Sequence, residues 1–264
     1  MPESYIDIAV NISNGPLETR VEQIIEEAKA VNVNHLIALG CNIVNTEKAI
    51  LLSKRFPGSI YATAGIHPHD AKTFDQHSIA QLSAFAQEPT VVALGECGLD
   101  FNRDFSPRPK QEYAFEAQLE LAATLNMPII MHQRDAHDRF ITIFERYKSD
   151  ISKGVVHCFT GEESELNDLL SLDLHIGITG WICDERRGLH LLESVHLIPD
   201  NRLMLETDSP YLIPRDLKPK PKSRNNVPAN LPHIAARVAQ ARGQSLEQLS
   251  KNCYKTTKQF FDIK

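Results

Sequence analysis

TVVALGECGLDF, residues 90–101, opens as a continuous apolar, β-branched run and passes through a glycine directly into a carboxylate. A run without polar alternation is what a strand covered on both faces requires, and such strands belong to parallel sheets flanked by helices. The residues just after the run, Glu96, Cys97 and Asp100, can all do chemistry. That placement fits the carboxyl end of a barrel strand, where active sites of the fold assemble.

The same pattern recurs on both sides of this stretch. Candidate strands are Ile6–Val10, His35–Leu39, Ile60–Ala64, Val91–Gly95, Ile129–Met131, Val155–Val156, His175–Ile178 and Leu203–Leu205. Eight such runs are the number that closes a barrel. Between them lie stretches with apolar residues three and four apart, such as Val21-Ile24-Ile25-Ala28 and Phe115-Leu119-Ala122-Ala123, which read as outer helices. The expected fold is α/β, a (β/α)8 TIM barrel of the metallo-dependent hydrolase type. A chain of 264 residues with 42% hydrophobic content matches the ~250 residues usual for one such domain, so a single unit over 1–264 is expected. After the eighth run, residues 214–232 contain five prolines and are expected to form an extended surface loop rather than helix. Two closing helices, near Pro232–Ala241 and Ser245–Phe261, complete the pattern.

Composition narrows the function classes. With 28 Lys+Arg against 34 Asp+Glu the net charge is -6, so no broad basic face attracts a polyanion from a distance. The five cysteines are scattered, form no CxxC pair and are odd in number, which fits reduced thiols and a cytoplasmic setting. The amino-terminal MPESYIDIAVNIS lacks the basic and apolar regions of a secretion signal, and no apolar run reaches the ~18 residues of a membrane span. A monomer without membrane association is expected.

The residues at the carboxyl end of each strand carry the functional signal. The third run leads into Gly65-Ile66-His67-Pro68-His69-Asp70, the fourth into Glu96, the fifth into His132-Gln133-Arg134, the sixth into His157-Cys158 and the eighth into Glu206-Thr207-Asp208. A lone histidine after a strand is ordinarily a hydrogen-bonded core or rim residue. Five converging positions supplying imidazole nitrogens and carboxylate oxygens instead suit a divalent ion such as Mg²⁺, Mn²⁺ or Zn²⁺.

The chain resembles the TatD-type metal-dependent deoxyribonucleases of the amidohydrolase-like barrels, the bacterial members above all. The resemblance rests on GIHPHD at 65–70, GECGLDF at 95–101, MHQRDAHDRF at 131–140, VHCFTG at 156–161, GITGWICDERRG at 177–188 and ETDSPYLIPRD at 206–216, and covers nearly the whole chain. It implies a Mg²⁺-dependent 3′–5′ exonuclease acting on single-stranded DNA and RNA. It also implies that Glu96, His132 and His157 hold one metal of a pair. For the other metal the family carries an Asp-x-His-x-His motif, where this chain has Asp7-Ile8-Ala9-Val10-Asn11. Both histidines are thus absent, which leaves that first site altered. Asp208 either contributes to it or acts on water alone. Asp7 and Asn11 are either oxygen ligands or structural.

The mechanism so implied is metal-assisted attack of water on phosphorus, with Asp208 as the base. His67, rather than His69, is expected to contact the scissile phosphate or protonate the leaving oxygen. Phosphate grip is assigned to Arg134 and to Arg215, Lys218, Lys220 and Lys222 of the proline-rich loop, with Trp181, Tyr211 and Phe101 either stacking platforms or packing residues. Two other readings remain. One is hydrolysis of another substrate class, although Glu96 stands where related barrels carry a bridging carbamylated lysine. The other is a non-catalytic nucleic-acid-binding barrel.

Overall fold

The apolar runs become strands because nothing in them can tolerate water. Every residue of β1 (Tyr5–Val10), β7 (His175–Ile178) and β8 (Leu203–Leu205) is buried. In the computed structural model, which describes residues 4–263, they join β2 (Val33–Ala38), β3 (Ile60–Ala64), β4 (Val91–Asp100), β5 (Ile129–Arg134) and β6 (Gly154–Val156). Residues 1–3 and 264, included in the expected 1–264 unit, lie outside the described residues. The order is β1 to β8 without crossovers, and all seven pairings between consecutive strands are parallel. The helices are α1 (Val21–Ala30), α2 (Ile43–Arg55), α3 (Gln76–Phe85), α4 (Arg108–Leu125), α5 (His137–Phe144), α6 (Glu163–Ser171), α7 (Leu189–Ser194), α8 (Leu231–Arg242) and α9 (Leu246–Phe261). This is the expected (β/α)8 barrel. No helix among the described residues is long and apolar enough to cross a membrane.

Side-chain alternation divides the core in two. Ile6 and Ile8 of β1, Ile37 of β2, Ala93 of β4, Ile130 of β5, Val155 of β6 and Met204 of β8 pack with Phe260, Phe261 and Ile263 in one cluster. The intervening residues, such as Leu36, Leu94, Ile129 and Val156, pack in a second cluster with helix residues including Ile24, Phe115 and Ile234. The period of two puts the first set inside the barrel and the second between barrel and helices.

Several boundaries shift by one or two residues, and three departures have a physical reason. β4 does not stop at Gly95 but continues to Asp100, with a register shift between Leu94 and Cys97. Gly95 and Gly98, at φ +104 and +135, are parts of this irregular strand and not punctuation. A Cβ on either would run into a carbonyl of β5, that of Ile130 or His132. β5 likewise extends to Arg134 beside the lengthened β4. Finally, the proline-rich segment is not irregular throughout: Pro228–Asn230 forms a 3-10 turn and α8 starts at Leu231. Pro232 is tolerated there because a first-turn residue has no intrahelical N–H bond to lose.

The seam between β8 and β1 is closed largely by side chains. Beyond a single parallel bridge, Val10 to Ser209, and an Asn11 N–H to Ser209 carbonyl bond of 2.7 Å, the contact runs through Asp7. Its carboxylate accepts from the Thr207 N–H at 2.9 Å and from the Thr207 hydroxyl at 2.5 Å. Asp7→Ala would strand the buried Thr207 N–H at roughly 1–3 kcal/mol, while the hydroxyl keeps Ser209 Oγ as a partner. The expected outcome is a loss of about 1–3 kcal/mol in denaturant unfolding, and an unchanged midpoint would show that the seam does not depend on Asp7.

Candidate active site

The register shift in β4 sets Glu96 at the barrel mouth, where it is buried. Three imidazoles meet one of its oxygens. His157 Nε2 lies 2.7 Å from Glu96 Oε1, His67 Nε2 3.2 Å and His132 Nδ1 3.4 Å. They come from three different strand ends: His67 follows β3, His132 lies on β5 and His157 follows β6. Burial by itself would raise the Glu96 carboxyl, but the charges of His67 and His157 and hydrogen bonds from His132 and His157 hold it well below the usual range.

Each histidine is also held from behind. His157 Nδ1 lies 3.3 Å from Glu206, whose other oxygen accepts a hydrogen bond from the Cys158 N–H. Although burial opposes it, the acids Glu96 and Glu206 keep a proton on His157 well above the ordinary imidazole range. His132 Nε2 lies 3.3 Å from Asp100, which is also 2.7 Å from His69 Nε2. His69 is thus a partner of Asp100, while His67 belongs to the Glu96 cluster. Burial lowers the His67 imidazole, with the Glu96 carboxylate acting against that shift.

These donors fit a divalent ion. Ligand atoms of His67, Glu96 and His132 lie within 4.8 Å of one another, and two imidazoles with a buried carboxylate are a donor set for such a cation. Of the expected ligands, Glu96 and His132 are in this group, and His157 touches the same Glu96 oxygen. His67, expected to serve the phosphate, sits among the ligand-type atoms instead.

Asp208 stands across the mouth, in the left-handed region at φ 51, and its Oδ1 accepts from Asn11 Nδ2 at 3.1 Å. Burial pushes its carboxyl up to about 7, His157 acting against that shift and Glu96 with it. The roles left open on β1 are thereby narrowed. Asp7 is engaged by Thr207, Ala9 is packed in the barrel interior, and Asn11 is a partner of Asp208.

The mouth opens into a cavity of about 450 Å³ whose lining includes Arg103, Arg134, Arg187, Trp181 and Tyr211. Arg187 and Arg134 lie over the Trp181 ring, with guanidinium carbons 4.2 and 5.6 Å from its centroid. Of the cations expected to grip phosphate, only Arg134 lines this cavity. Arg215 turns to Glu185 at 3.4 Å and Asp184 at 3.6 Å, and Lys218, Lys220 and Lys222 are exposed elsewhere on the loop. Phe101 lies beneath the Arg108 guanidinium and is not free to stack. Sequence reading missed Arg103 and Arg187, and gave no role to Asp100 or Glu206, although both stand in the strand-end stretches that carry Glu96 and Asp208.

The model of the TatD related DNase family matches residues 6–262. The chain belongs to this family. It is 47% identical over 258 residues to the "3'-5' ssDNA/RNA exonuclease TatD" of Edwardsiella piscicida, covering 98% of this chain and 99% of that one. The protein of the same name from Erwinia billingiae is 47% identical over 257 residues, 97% and 98% of the two chains. Among solved structures, the TatD homologue YJJV of Escherichia coli K12 superposes with a TM-score of 0.90 over 100% of both chains at 24% identity, a likeness of fold. A divalent metal at the Glu96 cluster accords with membership in this family. If Glu206 orients His157 there, Glu206→Gln should weaken divalent-ion binding about 10- to 100-fold with the far-UV spectrum retained. Titration calorimetry reads this directly, and an unaltered isotherm would remove His157 from the ion's surroundings.

Proposed function

We propose that this protein is a divalent-metal-dependent 3′–5′ exonuclease that hydrolyses phosphodiester bonds of single-stranded DNA and RNA, with Mg²⁺ as its ion. The observation that carries the reading is the buried Glu96 carboxylate ringed by His67, His132 and His157 and faced by Asp208 at the mouth of an arginine-lined cavity. The names of the relatives, exonucleases on single-stranded DNA and RNA, point the same way. The free state of all five cysteines suits a cytoplasmic enzyme.

Glu96, His132 and His157, joined by His67, would hold the ion, which supplies positive charge for the phosphoryl oxygen and makes water more acidic. Asp208 accepts the proton of the attacking water, its orientation fixed by the Asn11 amide. Arg103, Arg134 and Arg187 take phosphates of the incoming strand, and Tyr211, 58% exposed at the rim, offers a face for a base. A single strand can enter a cavity of this size end-first. A duplex must first fray, at about 1.4 kcal/mol of stacking per step. Linear single strands should therefore be degraded faster than blunt duplexes or closed circles, and equal rates on end-labelled substrates would replace the threading model with an endonuclease cleft.

Asp208→Asn keeps the shape and loses the proton acceptor, so kcat should fall by about 10²–10⁴-fold with little change in KM. In the parent enzyme kcat should rise with pH as Asp208 ionises, an ascending limb at or below about 7 because a nearby cation lowers the raised carboxyl. An effect confined to KM, or a limb that persists in Asp208→Asn, would assign the proton transfer elsewhere. For binding, Arg187→Ala should raise KM and reduce the salt slope by about 0.7 per lost phosphate contact. Neutralising Lys218, Lys220 and Lys222 together should do less, and the reverse order would return the substrate path to the loop.

A further inference from the structure

The connections after β7 and β8 bring a second donor set together, away from the mouth. Cys183 ends the 3-10 turn Gly180–Cys183 that follows β7, Asp216 lies in the loop after β8, and His233 is in the first turn of α8. One ligand atom from each lies within 4.8 Å of the others. Cys183 is 3% exposed, whereas the side chains of Asp216 and His233 are 39% and 35% exposed, so a buried thiol meets two donors that solvent can reach. His233 Nε2 lies 2.7 Å from Asp216 Oδ1. None of the three lines the mouth cavity or takes part in the proposed hydrolysis.

A thiol, an imidazole and a carboxylate converging from three separate elements differ in kind from the donors at the mouth. Sulfur selects for zinc-like ions and against Mg²⁺, and three protein ligands leave a fourth tetrahedral position for water. Ligand atoms around such an ion sit roughly 3.3 Å apart for nitrogen and oxygen at bond lengths near 2.0–2.1 Å. The Asp216–His233 pair need open by only a fraction of an ångström, which its exposure permits. We propose that Cys183, Asp216 and His233 form a three-ligand zinc site, completed by water, that clips the loop after β8 to the turn after β7 and to α8. Binding releases the Cys183 proton to solvent, and the proton that His233 Nε2 shares with Asp216 passes by way of solvent to Nδ1, so that neutral Nε2 and the carboxylate exchange their hydrogen bond for two bonds to the ion. Burial, reinforced by Asp216, keeps that thiol protonated until an ion arrives, with Arg237 acting in the opposite sense.

The clip has reach toward the substrate side of the mouth. Trp181, which carries Arg134 and Arg187, lies two residues before Cys183 in the same turn, and Arg215 adjoins Asp216. An ion there would fix both.

Titrating the whole protein with Co²⁺ alone tests the site, because thiolate ligation gives a charge-transfer band in the near ultraviolet that imidazole and carboxylate ligands do not. The parent chain should show this band, Zn²⁺ should abolish it, and Cys183→Ser should lack it while still binding Co²⁺ at the mouth. Absence of the band in the parent, or its persistence in Cys183→Ser through Cys41 or Cys158 at the mouth, would overturn the proposal. Should Cys183→Ser fail to fold, His233→Gln at the accessible side replaces it: a weakened band supports the site, and an intact one overturns it. Zn²⁺ should also slow tryptic cleavage after Lys222 and Arg224 in the parent and not in the variant. Equal protection in both would count against the clip.

Discussion

The mouth depends on how β8 returns to β1. Backbone pairing there is reduced to one bridge, and the Asp7 carboxylate substitutes for the missing ladder by taking both donors of Thr207. Thr207, held on Asp7, lies between two carboxylates of the mouth: Glu206 on His157, and Asp208, which leaves the extended conformation at φ 51 to meet Asn11. The seam contact thus anchors the short segment that carries both.

The cluster around Glu96 is an electrostatic solution to a burial problem. A lone carboxylate out of water is costly, and so is a lone imidazolium, but one oxygen shared among three histidines spreads compensation over several contacts. Asp100 and Glu206 extend the network outward and fix ring orientations. Such a cluster is prepared for a cation, since protons on the imidazoles occupy the role that a divalent ion takes over, and ion and protons compete for the same nitrogens. Asp208 stays outside this sharing and keeps a raised carboxyl of about 7, suited to exchanging a proton near neutrality.

Much of this was legible in the chain. Eight uninterrupted apolar runs gave the barrel, and the residues after them gave Glu96, His132, His157 and Asp208. What misled was the use of local punctuation for features that only a neighbouring strand explains. Gly95 reads as a strand end, yet it is needed because β4 passes too near the Ile130 carbonyl for a side chain. The lysines of the proline-rich loop read as a phosphate track because they are concentrated along the chain; they are exposed and do not line the mouth cavity. Arg103 and Arg187 line the mouth but sit beside Asp104 and near Asp184 and Glu185 in the chain, and Arg187 does pair with Asp184 at 2.9 Å while its guanidinium stays over Trp181. His67 was placed at the site from its motif, while its share in the Glu96 oxygen required the distance.

The inner cluster of the barrel includes Phe260, Phe261 and Ile263, which pack with Ile6 and Ile8 of the first strand. The apolar inner face of β1 therefore has its covering in residues more than 250 positions further along the chain. A partly folded barrel of β1 to β7 exposes both an open sheet edge and an uncovered interior. The strand that closes the edge and the helix that covers the interior both follow residue 200, so the two exposures end together in the last stage of folding.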